Sequence, residues 1–217
     1  MNKSITEIIL ILILLVNAAI STAATVESIA ATVEDRIIMT GDVITESKLL
    51  NIHESEYISL PIEGTFSMGL LDQMINRELV FREAMRSRFD SGERDVIDDM
   101  LHFEKKFINP EEFPLFLKEE GLILGDIVEW FHKKQITMAY INEKISLMSY
   151  VGALDVEEYY KENEESFEGL PIKAVENKIR ALLVQKKGEV FLEKWIGDLR
   201  KRGNIKYFII PQDQFPD

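Results

Sequence analysis

Gly203-Asn204-Ile205-Lys206-Tyr207-Phe208-Ile209-Ile210-Pro211 is the stretch that decides the fold. Its β-branched and aromatic run from Ile205 to Ile210, bracketed by glycine and proline, predicts a strand at the end of the chain. A lone strand leaves backbone amides and carbonyls unpaired, so it needs a ladder partner. Working back, the preceding 32 positions from Pro171 to Arg202 read as one long helix. Val175, Ile179, Leu182, Leu183, Phe191, Leu192, Trp195, Ile196 and Leu199 supply its apolar positions. From Ile172 it would extend about 45 Å at 1.5 Å per residue. Gly188 falls in its middle and is expected to weaken it there. The other strand candidates lie at the opposite end, Ile29–Val33 and Arg36–Met39, separated by the turn signal Glu34-Asp35. The prediction is a mainly α fold whose two ends meet in a small sheet.

Between the ends the pattern is helical throughout. Gly41-Asp42 opens a helix over Val43–Glu54, with Asp42 as its cap. Thr65–Phe89 is the strongest helical segment, with Leu70, Leu71, Met74, Ile75, Leu79, Phe81 and Ala84 at spacings of three and four. Ser91-Gly92 breaks it, and Glu93–Phe107 restarts the pattern. Asn109-Pro110 starts a short helix that ends at Gly121, a left-handed C-cap. Gly125–Leu147 is a further long helix. Asp155-Val156-Glu157-Glu158 reads as a capping box opening a short acidic helix through Asn163. No internal repeat is visible.

Composition excludes several functions. The 217 residues hold 25 Lys and Arg against 38 Asp and Glu, for a formal net charge of −13, and no cysteine. Disulfides, thiolate metal sites, cysteine nucleophiles and a lipid-modified cysteine anchor are all ruled out. So acidic a chain is a poor tracker of nucleic-acid phosphates. The three histidines, His53, His102 and His132, are not spaced as a helical metal pair. No nucleophile elbow, phosphate loop or dinucleotide fingerprint occurs. The acidic neighbours Asp98-Asp99, Glu111-Glu112, Glu119-Glu120 and Glu164-Glu165 point in different directions on a helix and read as solvated charge. No catalytic residue, metal ligand or cofactor is expected.

The N-terminus reads as a targeting segment. Lys3 precedes the apolar run Ile8–Val16, and small residues follow from Ala18 to Ala24. That order is the layout of a secretory signal, with cleavage after Ala23 or Ala24. The apolar run is short of the ~20 residues a membrane span needs. The alternative is an uncleaved inner-membrane anchor. Removing residues 1–24 leaves a mature chain of 193 residues, read as a helical domain over 25–170 with 171–217 completing it.

Three stretches carry a family resemblance. Ile29-Ala30-Ala31-Thr32-Val33-Glu34-Asp35-Arg36-Ile37-Ile38-Met39-Thr40-Gly41-Asp42-Val43 looks like the opening I-x-A-x-V-N-x-x-x-I-T-x-x-D-V, with Glu34 where Asn is usual. Leu71-Asp72-Gln73-Met74-Ile75-Asn76-Arg77-Glu78-Leu79-Val80-Phe81-Arg82-Glu83-Ala84 is close to L-D-x-L-I-x-R-x-L-x-x-x-E-A. Val156-Glu157-Glu158-Tyr159-Tyr160-Lys161-Glu162-Asn163 with Phe167 is like V-x-x-Y-Y-x-x-N…F, and Phe113, Phe116, Leu117, Glu120, Gly121 and Leu122 also fit. In this order they resemble the N-terminal chaperone module of the SurA family, related to the PrsA and trigger-factor type foldases. In many members the last segment leads into a parvulin prolyl-isomerase domain of about a hundred residues. Here Phe167 is followed at once by the helix from Pro171, which leaves no room for one.

The resemblance implies a periplasmic, ATP-independent holdase for unfolded apolar segments of exported or outer-membrane proteins. It implies no nucleic-acid partner and no stable membrane insertion after signal cleavage, and leaves oligomeric state open. The alternatives are a prolyl isomerase and a dedicated assembly partner of one secretion system. Methionine and aromatic side chains suit promiscuous apolar contact. Trp130, Phe131, Phe116 and Met138 are the candidate client-binding residues. Because Trp130 and Phe131 are adjacent, one helix face cannot bury both equally, and one of them is expected to be exposed.

Overall fold

The computed structural model describes residues 27–89 and 96–209. The expected signal segment, the break at Ser91-Gly92 and Ile210 lie outside the described residues. In order come β1 (Ile29–Val33), β2 (Arg36–Met39), α1 (Thr40–Glu54), α2 (Met68–Arg86), α3 (Val96–Glu104), α4 (Glu112–Glu120), α5 (Leu124–Met148), α6 (Ala153–Glu162), a 3-10 turn (Glu164–Phe167), α7 (Ile172–Arg202) and β3 (Ile205–Tyr207). The fold is mainly helical, with a small three-stranded antiparallel sheet in the order β2-β1-β3.

The terminal strand therefore finds the partner its backbone requires. β3 pairs with β1 in the register Val33 to Ile205, Thr32 to Lys206 and Ala31 to Tyr207. The Phe208 amide donates to the Ala30 carbonyl at 3.0 Å, and the Glu34 amide to the Asn204 carbonyl at 2.9 Å, extending the ladder at both ends. The Tyr207 hydroxyl, Arg200 and Asp72 then tie β3 and the end of α7 to α2.

Glu34 in the hairpin turn has φ 56°, in the left-handed region that crowds a β-carbon. Asn, usual here in the resembling sequences, accepts that region more easily. Glu34→Asn is therefore expected to raise stability by about 0.5–1 kcal/mol, read as a higher denaturant midpoint. The 3.6 Å pair of Glu34 with Arg86, whose side chain is 62 % exposed, loses little in exchange.

Helix starts differ from the expectation in a consistent way. Asp42 and Asp155 do not precede their helices; they sit in the first turn and reach back. Asp42 accepts the Met39 amide at 2.8 Å, and Asp155 the Gly152 amide at 2.8 Å. A carboxylate in this position satisfies an orphan donor and sits at the positive end of the helix dipole. α1 thus begins at Thr40 and α6 at Ala153, and Glu158 has no capping role. α2 starts at Met68, where Ser67 caps the Leu70 amide at 3.3 Å. α4 begins at Glu112, beyond Pro110, and stops as expected at Gly121 with φ 67°.

α7 runs unbroken through Gly188. Its backbone lies so close to α5 that an added β-carbon would come within 2.9 Å of Ile145 Cγ2. The missing side chain is what lets these two long helices approach.

Three apolar clusters hold the described residues together. The first joins the sheet to α2, α5 and the end of α7, through Val33, Ile38, Leu71, Ile75, Tyr140 and Leu199. The second joins α1, α3, α4 and the start of α5 around aromatic rings. The third packs α6 on the first half of α7, through Val151, Val156, Val175 and Ile179. No helix among the described residues is long and apolar enough to cross a membrane.

Candidate functional site

β2, α1, α2, the end of α4 and the start of α5 enclose a cleft of about 480 Å³, within the usual ~300–1,000 Å³ of ligand clefts. Two glutamates form its floor. Glu46 is 4 % exposed and Glu78 5 % exposed. A buried carboxylate is tolerated only when cations and donors replace its lost water, and here they do. Glu46 accepts from Arg77 Nη1 at 2.6 Å and from the indole N–H of Trp130 at 2.9 Å. Glu78 accepts from Arg82 Nε at 2.7 Å on one oxygen and from Lys133 Nζ at 2.6 Å on the other. Arg36 of β2 stands 3.7 Å away.

Burial by itself would raise the Glu78 carboxyl. The hydrogen bond and charge of Lys133, the bond from Arg82 and the charge of Arg36 outweigh it, and hold the group below the usual glutamate range. Lys133 also lies 4.9 Å from the Phe81 ring centroid. The network thus ties β2, α2 and α5 through Glu78, and α1, α2 and α5 through Glu46.

Behind the cleft, Trp130 stands edge-on to His53, with ring centroids 5.8 Å apart. Burial lowers the affinity of His53 for a proton, and the charges of Lys134 and Lys106 lower it further. Lys134 is itself depressed, chiefly by burial, and lies 5.0 Å from the Trp130 ring centroid. His53 is thus half-buried and neutral-favouring. No group of three or more His, Cys, Asp or Glu among the described residues is arranged to hold a metal ion.

The four residues chosen from the sequence separate into different roles. Phe116 is 1 % and Phe131 3 % exposed, both inside the aromatic cluster. Trp130 is half-buried on the cleft wall with its N–H committed to Glu46. Neither member of the adjacent pair is therefore exposed, contrary to expectation. α3 packs against the α5 face that carries Phe131, with the Phe103 ring 5.6 Å from it, and Glu46 gives the indole a polar partner, so both rings are accommodated. Met138 is 52 % exposed, two turns further along α5 and outside the cleft.

The charged floor was missed, although a signal existed. Glu46 interrupts the apolar stripe Val43, Leu49, Ile52, and Glu78 falls on the face of Leu71, Ile75 and Leu79. A carboxylate in a buried stripe predicts a buried partner on another element, which periodicity alone does not name.

No family model matches the chain, and no curated protein matches it.

Proposed function

We propose that the chain is an ATP-independent holdase of the SurA type, exported to the periplasm, that shields apolar segments of unfolded exported proteins. The observation that carries this reading is the order of the three family-like stretches on one chain whose helices lie between paired terminal strands. The helical module, not an isomerase domain, is then the working part. Exposed apolar side chains are available for contact. Besides Met138, Leu147, Met148, Tyr150 and Leu154 cluster in sequence around the α5–α6 connection, Tyr150 being 81 % exposed. Phe116 and Phe131 support the fold in this reading and leave client contact to exposed positions.

The test is dilution of a urea-unfolded outer-membrane protein into buffer with and without the chain, followed by light scattering. Slower aggregation with the chain present is expected, together with no acceleration of Xaa-Pro isomerisation in a short peptide. Unchanged scattering at excess chain would overturn the holdase reading. Accelerated isomerisation would favour the enzymatic alternative. Export is checked by the mass of the chain in a periplasmic extract, expected to begin at Ala24 or Thr25; an intact Met1 in the membrane fraction would indicate an anchor.

A further inference from the structure

The cleft is unequal in charge from floor to rim. Its floor cations are spent. Arg77 is bound to Glu46, and Lys133 and Arg36 to Glu78. Glu120 at the edge is matched by Lys48 of α1. Four further carboxylates on the lining, Glu27, Asp42, Asp126 and Glu129, are exposed. Among the described residues none of the four forms an ion pair with Lys or Arg. Asp42 and Asp126 each give one oxygen to a helix-start amide, at 2.8 and 2.7 Å. The rim is therefore net negative, on a chain already at −13. The wall is apolar. Met74, Leu122 and Trp130 are only partly covered there. A groove with apolar walls and an uncompensated acidic rim is complementary to a ligand that pairs a cation with an adjacent apolar group.

We propose that this cleft seats a basic segment of an unfolded polypeptide, with a Lys or Arg side chain among the rim carboxylates and its apolar neighbour against Met74, Leu122 and Trp130. This deepens the holdase reading and rests on it for the identity of the polypeptide. The partner is thus selected by charge as well as by hydrophobicity.

The experiment uses the full chain and two fluorescein-labelled short peptides that share the same leucines and phenylalanine. One alternates them with lysine, the other with glutamate. Anisotropy titrations should show the lysine peptide binding at least roughly tenfold more tightly, with the preference shrinking as salt rises. Glu27→Gln with Glu129→Gln should weaken the lysine peptide by roughly fivefold without weakening the glutamate peptide or lowering the thermal unfolding midpoint. Equal binding of the two peptides, tighter binding of the glutamate peptide, or no response to the double substitution would overturn the site. Aggregation of a client is scored separately. Protection without lysine preference sinks the cleft and spares the holdase, whereas lysine preference that the double substitution reduces supports the cleft even where aggregation is not slowed.

Discussion

Phe103→Ala is expected to lower unfolding free energy by about 4 kcal/mol, within the ~3–5 kcal/mol typical of buried Phe truncation. Phe103 is 1 % exposed and sits among Phe107, Phe113, Trp130 and Phe131, with ring centroids 5.6–6.3 Å away. Phe103 is on α3, and the rings around it come from the turn after α3, from α4 and from α5. Removing the centre costs the transfer energy of one ring and leaves a void that rigid neighbours on separate helices cannot close. Edge-to-face contacts worth about 0.5–1.5 kcal/mol each are lost too. For a chain of this size the midpoint should fall by roughly 8–16 °C. Met138→Ala is the comparison, expected within about 0.5 kcal/mol of the parent because that side chain is exposed. Equal losses from the two substitutions would mean that the aromatic cluster does not hold these helices.

Glu78→Ala is expected to lower stability by about 3 kcal/mol. Breaking a buried pair by removing one partner costs roughly 3–5 kcal/mol, because the other charge stays buried. Lys133 is that charge, its side chain 15 % exposed. Arg82 and Arg36, at 26 % and 45 %, recover water more readily, which places the figure at the lower end. Adding Lys133→Met should restore part of the loss, since no uncompensated ammonium then remains. Acid dependence follows from the same group. Its folded-state proton affinity is depressed, so its contribution is fully present above the unfolded value near 4.5 and is lost as pH falls through the folded value below that. The stability gap between the parent and Glu78→Gln should therefore be flat near neutral pH and narrow below about pH 4.5. A gap that widens on acidification, or a Glu78→Ala variant as stable as the parent, would show that the carboxylate is not held as a charge.

Much of the architecture was legible before the structure. Repeats of three and four named α2, α5 and α7, because an amphipathic stripe is local information. The pairing of the chain ends was also legible, since the strand read at Ile205–Ile210 carries donors and acceptors that only Ile29–Met39 could match, although the strand itself is the shorter Ile205–Tyr207. Helix starts were less so. An Asp near a helix start can serve as the cap itself or reach back from the first turn, and sequence does not separate the two for Asp42 and Asp155. The candidate site was the weakest part. Trp130, Phe131 and Phe116 were rightly marked as large apolar groups, but exposure is set by what other elements cover: Phe103 of α3 packs on Phe131, and Phe107 after α3 packs on Phe116.

By itself the sequence determined the helical character, the strand at each end, the absence of cysteine chemistry and the strong negative charge. Those depend on composition and on periodicity within one element. The tertiary structure alone decided that Glu46 and Glu78 are buried, that Arg77, Lys133 and Arg36 arrive from other elements to neutralise them, and that among the described residues four rim carboxylates are left without cations. It also decided that Gly188 serves close packing. Each of these is a relation between residues distant in sequence, and its energy comes from desolvation and contact, which exist only once the helices are assembled.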